Sequence, residues 1–542
     1  MSKSKKRARR RARKKQAEQS QSMASTTVIT EQSMVPTVVT TERVRCPYFF
    51  PYNSHNCWLT QCNVGQVTVT PGPINKIPDD ALLAIFDFYV ENVVNNYRCF
   101  KKDIEAWQLL VHVCRRWRGI VFGSPRRLNL QLVCTTTTRV RDRLDVWPAL
   151  PLLFRYHTSE RTPDGIIVAL KKHSDRVCSI DIDYYGSSQL EEISAQIQKP
   201  FPNLIQLKLS TWYSTGTEAA LPESILGGSA PRLRSLGLNH IPFPGLPKLL
   251  LSAPNLAHLS LQNLPDSGYV SPETMANCLS ALTGLKSLCL GPPSPRSRPP
   301  PPPTRSILPA ITHFDFNGAS EYLEDFVVCF DAPRLNCLDI TFDGETEQDT
   351  SRLVQFINRS PSLMPDEARL FFLESEVWAS LSSQTSRHLF IKAIYCEEED
   401  AQLSFTARFC ALSLRFLSTV ENLYVYEEIC QGRRWQDDLV PTQWLELLCP
   451  FNAVKNIFLT ENLAGRVVRI LRESIVGEMT EVLPSLQKLS LEGLKSLEPI
   501  KPVQEDIRQF VAARQLIGQN ITVSSWDEDV WDTEDLFDYI DR

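Results

Sequence analysis

A short leucine pattern, L-x-x-L-x-L with Ile, Val or Phe allowed, recurs along more than half of the chain and restricts its fold most. Eleven copies begin at residues 177, 204, 233, 256, 285, 311, 335, 391, 420, 454 and 486. Successive copies start 23 to 34 residues apart, except for a gap of 56 after 335 that we expect to hold two units. A pattern with such a period is typical of repeat proteins.

Each copy predicts a short strand whose leucines face one side of a sheet, because side chains alternate along a strand. Helical stretches lie between copies, for example SPETMANCLSAL from Ser271 and EYLEDFVVCF from Glu321. A single unit cannot bury its own leucines, so the units must stack and share a core. The sequence therefore predicts an α/β leucine-rich-repeat solenoid over 177–523, with a curved parallel sheet and outer helices. The number and spacing of the copies argue against the alternative, an ordinary α/β domain with leucine-rich strands.

The repeats depart from the usual leucine-rich pattern, which has Asn or Cys three positions after the last leucine. In two copies Ile241 and Leu264 stand there instead. We therefore expect an irregular curvature.

The residues between the strand leucines are expected on the opposite face of the sheet, where they would contact a protein partner. The alternative is that they are only solvated strand positions. The candidates come from five copies and are Gln206, Lys208, Ser235, Asn239, His258, Gln262, His313, Asp315, Asn317 and Asp339.

Two apolar helical segments precede the repeats. The first, ALLAIFDFYVENVV, follows Asp79, and the second runs from Trp107 to Val121 as one predicted helix. Gly123 is expected to take a left-handed conformation at its end, and Pro125 prevents continuation. We expect Arg115, Arg116 and Arg118 toward the negative, C-terminal end of the helix dipole. This position explains the three positive charges without a nucleic-acid contact.

Both segments carry apolar residues around more of their circumference than one contact needs. The surplus must face either the first repeats, so that the helices merely cap the solenoid, or a groove on a separate partner. Both contacts are compatible with each other.

The order IPDDALLAIFDFYV and then WQLLVHVCRRWRGIVFGSPRRLNLQL resembles the F-box. The extension SPRRLNLQL, the later DVWPALPLLF and the ending EDIRQFVAARQLIGQNITVSSW resemble those of large fungal F-box families. The segment between the two helices, Glu91 to Glu105, is longer than in a compact F-box. The matching residues are Ile77, Pro78, Leu82, Leu83, Ile85, Phe86, Trp107, Leu110, Val113, Cys114, Trp117, Ile120 and Val121.

The resemblance implies that these residues dock onto the Skp adaptor of an SCF-type cullin-RING ubiquitin ligase, while the repeats hold the protein to be ubiquitylated. The chain would then be a substrate receptor without catalysis of its own. Two alternatives from other classes are a nucleic-acid-associated scaffold and a free-standing leucine-rich interaction protein.

Charge is distributed unevenly along the chain. The formal net charge is −4, yet residues 3–15 hold ten basic residues, which leaves about −14 on the rest. The basic run is a candidate nuclear import signal or a non-specific polyanion contact, or else an inert tail. The acidic body argues against nucleic acid as the main partner. The final segment from Trp526 has eight acidic residues among aromatic ones. This composition is typical of a flexible end or of a short motif that binds a partner.

These observations give an expected organisation. It comprises a disordered basic arm 1–41, a linker or small extension 42–73, an F-box helical module 74–130, a connecting segment 131–176, the solenoid 177–523 and an acidic aromatic tail 524–542. A proline-rich loop, 291–306, interrupts the repeats and contains an RxxPxxP pattern, although a tolerated loop insertion explains it as well.

Signs of enzyme chemistry, cofactors or export are missing from the sequence. No P-loop, HExxH, GxSxG or GxGxxG motif occurs, and the fifteen cysteines include no CxxC pair. Cys46, His55, Cys57 and Cys62 fit no common zinc finger, and local packing explains them better. Without a secretory segment or an apolar span, we expect an intracellular protein, cytoplasmic or nuclear, with neither a cofactor nor a membrane contact.

Overall fold

The computed structural model describes part of the chain, in two units, Met1–Ala81 and Leu82–Arg542. The predicted basic arm, the Cys46–Cys62 group, most of the proline-rich loop and the acidic tail after Trp526 lie outside the described residues. These are 73–96, 105–135, 140–157, 164–184, 187–211, 219–293, 305–343, 350–360, 363, 365–373, 376–383, 388–394, 399–411, 415–427, 441–476, 482–492 and 501–526.

The first helical element of the described chain is a short 3-10 turn, Pro73–Lys76, in the first unit. Further 3-10 turns are Ile225–Gly228, Asp266–Gly268 and Arg415–Thr419. The α-helices are α1 Asp79–Asn96, α2 Ala106–Val111, α3 Arg115–Gly123, α4 Val140–Val146, α5 Asp164–Lys172, α6 Ser187–Gln196, α7 Leu246–Leu251, α8 Pro272–Ser280, α9 Ser320–Val327, α10 Ser351–Asn358, α11 Glu399–Ala411, α12 Pro441–Leu448, α13 Glu461–Val476 and α14 Lys501–Leu516. None of these described helices is long and apolar enough to cross a membrane.

Strands alternate with helices along the second unit. They are β1 Leu132–Cys134, β2 Leu152–His157, β3 Val177–Tyr184, β4 Gln206–Thr211, β5 Ser235–Asn239, β6 His258–Gln262, β7 Ser287–Leu290, β8 Ser306–Ile307, β9 His313–Gly318, β10 Phe330–Asp331, β11 Cys337–Asp343, β12 Glu367–Phe372, β13 Glu376–Ser382, β14 His388–Ile394, β15 Asn422–Glu427, β16 Asn456–Leu459, β17 Lys488–Glu492 and β18 Thr522–Trp526.

One long sheet holds sixteen of these described strands, and β8 and β10 form a separate parallel pair. The order is β1-β2-β3-β4-β5-β6-β7-β9-β11-β14-β13-β12-β15-β16-β17-β18. All neighbours in it are parallel except the two pairs that involve β13. A long, mostly parallel sheet with helical connections confirms the α/β, leucine-rich-repeat-like architecture.

Each of the eleven leucine copies overlaps a strand of this sheet, and ten of them are in register with one another. The copy at 391 is wrong in register, because Leu389 and not Ile394 pairs with Leu338. Leu207, Leu236, Leu259 and Leu288 follow one another as Cα partners across β4 to β7. All four are at most 2% exposed. The shared core therefore consists of rows of leucines that run from unit to unit, as expected for a solenoid.

A proline one or two residues before the first leucine sets the start of several strands. In five units the leucine N–H donates to the carbonyl three residues earlier, at 3.1 to 3.2 Å, and these leucines are Leu204, Leu233, Leu256, Leu335 and Leu486. The intervening proline favours such a turn because its ring already holds φ near the required value. The turns aim each chain segment into the sheet at a repeated position.

Connecting helices pack on the leucine face of the sheet. Phe314 of β9 lies 5.9 Å, ring centre to ring centre, from Phe326 of α9 and 6.1 Å from Phe330. Phe330 in turn contacts Phe356 of α10 at 5.2 Å. All four rings are at most 1% exposed, so neighbouring units share an aromatic as well as a leucine core.

The strands end in sharp turns that explain the unusual residues after the last leucine. His240 and Asn263 have positive φ angles of 56° and 48°. This turns Ile241 and Leu264 inward, where they are 0% and 8% exposed. Two apolar residues thus occupy the place where the usual pattern has a polar one.

The 56-residue gap does not hold two ordinary units, so that prediction is wrong. It holds α10 and an antiparallel hairpin of β12 and β13, and β13 pairs antiparallel with β14. The chain enters the sheet at β12, away from β11, and returns strand by strand to β14, which pairs with β11. Adjacent antiparallel strands need only short connections, which accounts for the missing leucine copies.

The sheet also begins earlier than 177. β1 and β2 come from the predicted connecting segment 131–176, and β2 pairs in parallel with β3. Their sequences, LVC and LLFRYH, do not fit the leucine pattern, which is why the sequence placed the start of the solenoid too late.

Glu105 covers the exposed edge of the first strand. Its Oε1 accepts a hydrogen bond from Val133 N at 2.7 Å, and its Oε2 lies 3.0 Å from Nη1 of Arg143. Trp107 Nε1 donates to Gln131 O at 3.2 Å beside it. Glu105 and Trp107 therefore cap this end of the sheet, whose edge would otherwise offer unpaired backbone groups.

We expect Glu105→Gln to lower the free energy of unfolding by about 2 to 4 kcal/mol, because it leaves the Arg143 charge without its buried partner. The two side chains are 13% and 8% exposed. Glu421→Gln is the matched control, since its pair with Lys455 is about half exposed and should change stability by less than about 1 kcal/mol. Urea denaturation followed by circular dichroism measures both. Equal losses would contradict the capping role.

Candidate functional site

The stretch Trp107–Val121 forms two helices, which corrects the prediction of one. α2 ends at Val111, and α3 begins after Cys114, whose backbone is extended. The Cys114 Sγ accepts from Trp117 N at 3.5 Å and caps α3, while Arg118 Nε donates to Val111 O at 3.1 Å and satisfies the end of α2. Both ends at the break thus find side-chain partners, which stabilises it.

The arginines consequently occupy a different place on the helix from the one expected. Arg115 and Arg116 open α3 and Arg118 lies in its first turn, at the positive end of the dipole. The predicted dipole stabilisation is therefore wrong. The left-handed end at Gly123 is also wrong, because a positive φ is found at Asn129, at 46°, and not at Gly123.

The residues matched to the F-box divide by exposure. Phe86 and Trp117 pack ring on ring at 4.7 Å, and Trp107 meets Trp147 at 5.0 Å. These contacts join α1 to α3 and α2 to the segment after α4. Buried are Leu82, Phe86, Trp107, Leu110 and Val121; half-buried are Ile77, Leu83, Trp117 and Ile120; exposed are Pro78, Ile85, Val113 and Cys114.

Four large apolar side chains among the described residues between Leu82 and Leu130 are more than half exposed, and they define what we call the exposed apolar group. Ile85 and Phe88 of α1 are 53% and 70% exposed, and Leu109 and Val113 are 53% and 58% exposed. Ile85 and Phe88 are three residues apart on one helix and so share a face. Phe88 and Leu109 were missing from the matched residues, although helical spacing alone would have found Phe88.

All ten predicted partner-contacting residues lie on the sheet face opposite the leucines, and each keeps part of its side chain exposed. They form rows across the strands. Gln206, Ser235 and His258 are Cα partners in one row, which continues through Ser287 to His313. The row through Lys208 reaches Asp315 and Asp339 on β9 and β11.

A depression of about 230 Å³ opens on this face between β3 and β7. Five of the ten predicted residues line it, namely Lys208, Ser235, Asn239, His258 and Gln262. Residues that the sequence reasoning left out also line it, and the same alternation would have found them: Asp183, Ser210, Ser260, Ser287 and Cys289.

Beside the depression lies a carboxylate pair, Asp315 and Asp339, with the thiols of Cys289 and Cys337. Cys289 Sγ donates to Asp315 Oδ2 at 3.4 Å and accepts from Gln262 Nε2 at 3.2 Å. Asp339 is the Cα partner of Asp315, and its Oδ1 lies 3.2 Å from His388 Nε2. Burial raises the pKa of Asp315 to about 6, and the Asp339 charge adds to the rise, although the Cys289 hydrogen bond opposes it.

No metal site is formed by these groups. Within the described ranges no three or more His, Cys, Asp or Glu side chains are arranged to hold a metal ion. The nine cysteines found there are all free thiols, and burial raises the pKa of Cys289 to about 12, so it stays protonated and inert.

Further along the same face, β12 to β18 carry stacked aromatic rings among polar side chains. Phe371 stacks on Trp378 at 3.5 Å and on Tyr426 at 4.2 Å, and Tyr424 stacks on Phe458 at 4.2 Å. Trp526 lies edge-on to these rings, 5.8 Å from Tyr426. Alternation in VENLYV and VKNIFL places Tyr424 and Phe458 on this face, whereas the hairpin that brings Phe371 and Trp378 beside them has no leucine signal.

Comparisons with known proteins add little. No family model matches the sequence, and no curated protein matches it. Among solved structures the chain is similar to a leucine-rich repeat-containing protein, LegL7, from Legionella pneumophila, with 12% sequence identity and a TM-score of 0.25. That match covers 70% of this chain and 97% of the other. The strand order and the shared rows of leucines by themselves define a repeat fold of leucine-rich type, and the F-box resemblance stays a prediction.

Asp315→Asn should stabilise the protein at about pH 8 by about 2 kcal/mol, since a pKa near 6 against about 4 unfolded means that ionisation weakens the fold. In the wild type, the stability contributed by the protonated Asp315 carboxyl is fully present below about pH 4 and is lost as the pH rises through 6. The gain should therefore shrink toward about pH 5. Thermal denaturation over this range measures it, with the exposed Glu223→Gln as control. A gain in stability that does not depend on pH would contradict the raised pKa of the Asp315 carboxyl.

Proposed function

We propose that this chain is a binding scaffold that acts as the substrate receptor of an SCF-type ubiquitin ligase. The helical module would dock onto the Skp adaptor and through it a cullin, while the sheet face holds the protein to be ubiquitylated. The observation that supports this proposal is the presence of two separate surfaces, the exposed apolar group and the polar and aromatic sheet face.

The exposed apolar group supports the adaptor contact. Large apolar side chains such as Phe88, 70% exposed, lose contact with water when a partner groove covers them, and this drives helix-in-groove binding. The buried matched residues, such as Phe86 and Trp107, serve the contact indirectly because they hold α1, α2 and α3 together.

The sheet face supports the substrate contact. Its rows of side chains vary in charge and size from strand to strand, which suits recognition of one particular polypeptide. The depression beside Lys208 and the carboxylate pair at Asp315 are distinct features within that face.

The proposed mechanism uses proximity and needs no catalytic group from this chain. Holding a substrate lysine close to a charged ubiquitin carrier makes the transfer effectively intramolecular, which raises its rate strongly. The scaffold contributes the distance and orientation between the two surfaces, while the chemistry belongs to other subunits.

Replacing Phe88 and Val113 together by Ser should abolish co-elution with the Skp adaptor, because anchor side chains of this size typically contribute about 2 kcal/mol or more each. Size-exclusion chromatography of the co-expressed pair measures it. Leu251→Ser is the control, since Leu251 is also 60% exposed but lies on α7 among the repeats.

Wild-type protein that does not co-elute with the adaptor would contradict the ligase role. If the double variant co-elutes like wild type, the exposed apolar group is not the docking surface. Absence of wild-type co-elution would leave the two alternatives, a free-standing leucine-rich interaction protein and a nucleic-acid-associated scaffold.

A further inference from the structure

A glycine stands in the middle of a strand that lines the depression. Gly237 lies at the centre of β5, with Lys208 of β4 and Ser260 of β6 as its Cα partners. Glycine weakens a strand interior and often marks a place where another group approaches closely. Here a methyl group on residue 237 would lie 3.2 Å from Cγ of Lys208, closer than an ordinary contact.

The stem of Lys208 therefore leans over Gly237, toward β5. On its other side, β3 places Asp181 as the Cα partner of Lys208. Oδ1 of Asp181 is buried and has no hydrogen-bond partner among the described residues, so this oxygen does not hold the lysine. The side chain of Lys208 is exposed and its charge is directed to the depression instead.

The lining around Lys208 suits a negatively charged group. Gly237 and Ser260 form a low floor, and His258, Ser235 and Asn239 supply further polar groups. The lining also contains a carboxylate, Asp183 of the adjacent strand β3, which already accepts a hydrogen bond from Ser210 Oγ at 2.7 Å. A lysine with small neighbours thus faces a depression of about 230 Å³.

The neighbouring part of the face has the opposite charge. Asp315 and Asp339 lie on β9 and β11, and β9 is three strand positions from β5, roughly 14 Å away at the usual spacing of strands. An acidic side chain is repelled there and attracted to Lys208. The face therefore distinguishes acidic from basic groups by position.

We propose that the depression between β3 and β7 binds an acidic side chain, Asp or Glu, of the partner polypeptide. Lys208 supplies the recognising charge, and Gly237 leaves room for the lysine stem and the bound carboxylate together. The inference rests on the proposed function in one respect, namely that the partner lies on the sheet face.

Synthetic acetylated and amidated heptapeptide pools, random except for a fixed central residue, test the proposal on the full-length chain. The fixed residue is Glu, Gln, Lys or phosphoserine, and fluorescence polarisation measures binding. Wild type should bind the Glu pool about 10- to 100-fold more tightly than the Gln pool, as expected for a hydrogen-bonded charge pair.

Charge reversal is the decisive variant. Lys208→Glu should shift the preference from the Glu pool to the Lys pool, and Lys208→Met should remove it. Gly237→Val should weaken Glu binding without changing charge. Lys488→Glu is the control, since Lys488 lies on the same face but on β17, and it should leave the preference intact. Unchanged thermal midpoints show that the exposed Lys208 variants remain folded.

Equal binding of the Glu and Gln pools, binding to no pool, or a Lys208→Glu variant that keeps the wild-type preference would overturn the proposal. Binding of the phosphoserine pool without the Glu pool would also overturn it, because the site would then take phosphate. Co-elution with the adaptor is measured on the same preparations. If the protein does not co-elute with the adaptor but still prefers the Glu pool, only the ligase role is contradicted. If it co-elutes but shows no preference for the Glu pool, only the acidic subsite is contradicted.

Discussion

The sharing of one apolar core between neighbouring units determines the rest of the structure. A strand such as β6 buries Leu259 and Leu261 only because β5 and β7 present leucines in the same rows and helices cover them. No unit is stable by itself, since a strand and one helix cannot exclude water from both edges of that row. The ends of the sheet are consequently its weak points, and Glu105 closes the first one by pairing with the backbone of β1.

Because the leucines and helices occupy one face of the sheet, the other face is free to vary without loss of core. Its composition changes along the strand order, from the lysine-lined depression at β4 to β7, through the carboxylate pair at β9 and β11, to the stacked rings at β12 to β16. Stacked aromatic rings join the polar side chains of this face at the antiparallel hairpin of β12 and β13. A partner lying across the strands would therefore meet three chemically different zones in a fixed order, which favours selectivity over strength.

Much of this was predictable from the sequence, and the failures have physical causes. Leucine spacing predicts β3 to β7 and the face of Lys208 and Asp315, because alternation along a strand is geometric. It does not predict β1 and β2, whose apolar residues lack the leucine pattern, or the hairpin, whose pairing depends on distant strands. Helical periodicity alone missed the break at Cys114, since the caps that stabilise it come from a cysteine and an arginine whose roles appear only in three dimensions.

The proposed function needs two independent binding surfaces, and hydrogen exchange with and without the Skp adaptor tests their separation most directly. Mass spectrometry of the full-length chain should show slower exchange in α1, α2 and the turn at Val113 when the adaptor is bound, because burial of the exposed apolar group suppresses local opening. Exchange in β4 to β7 should stay unchanged, leaving the sheet face open for a substrate. Unchanged exchange in the helices, or protection that appears on β4 to β7, would contradict this separation of the two surfaces.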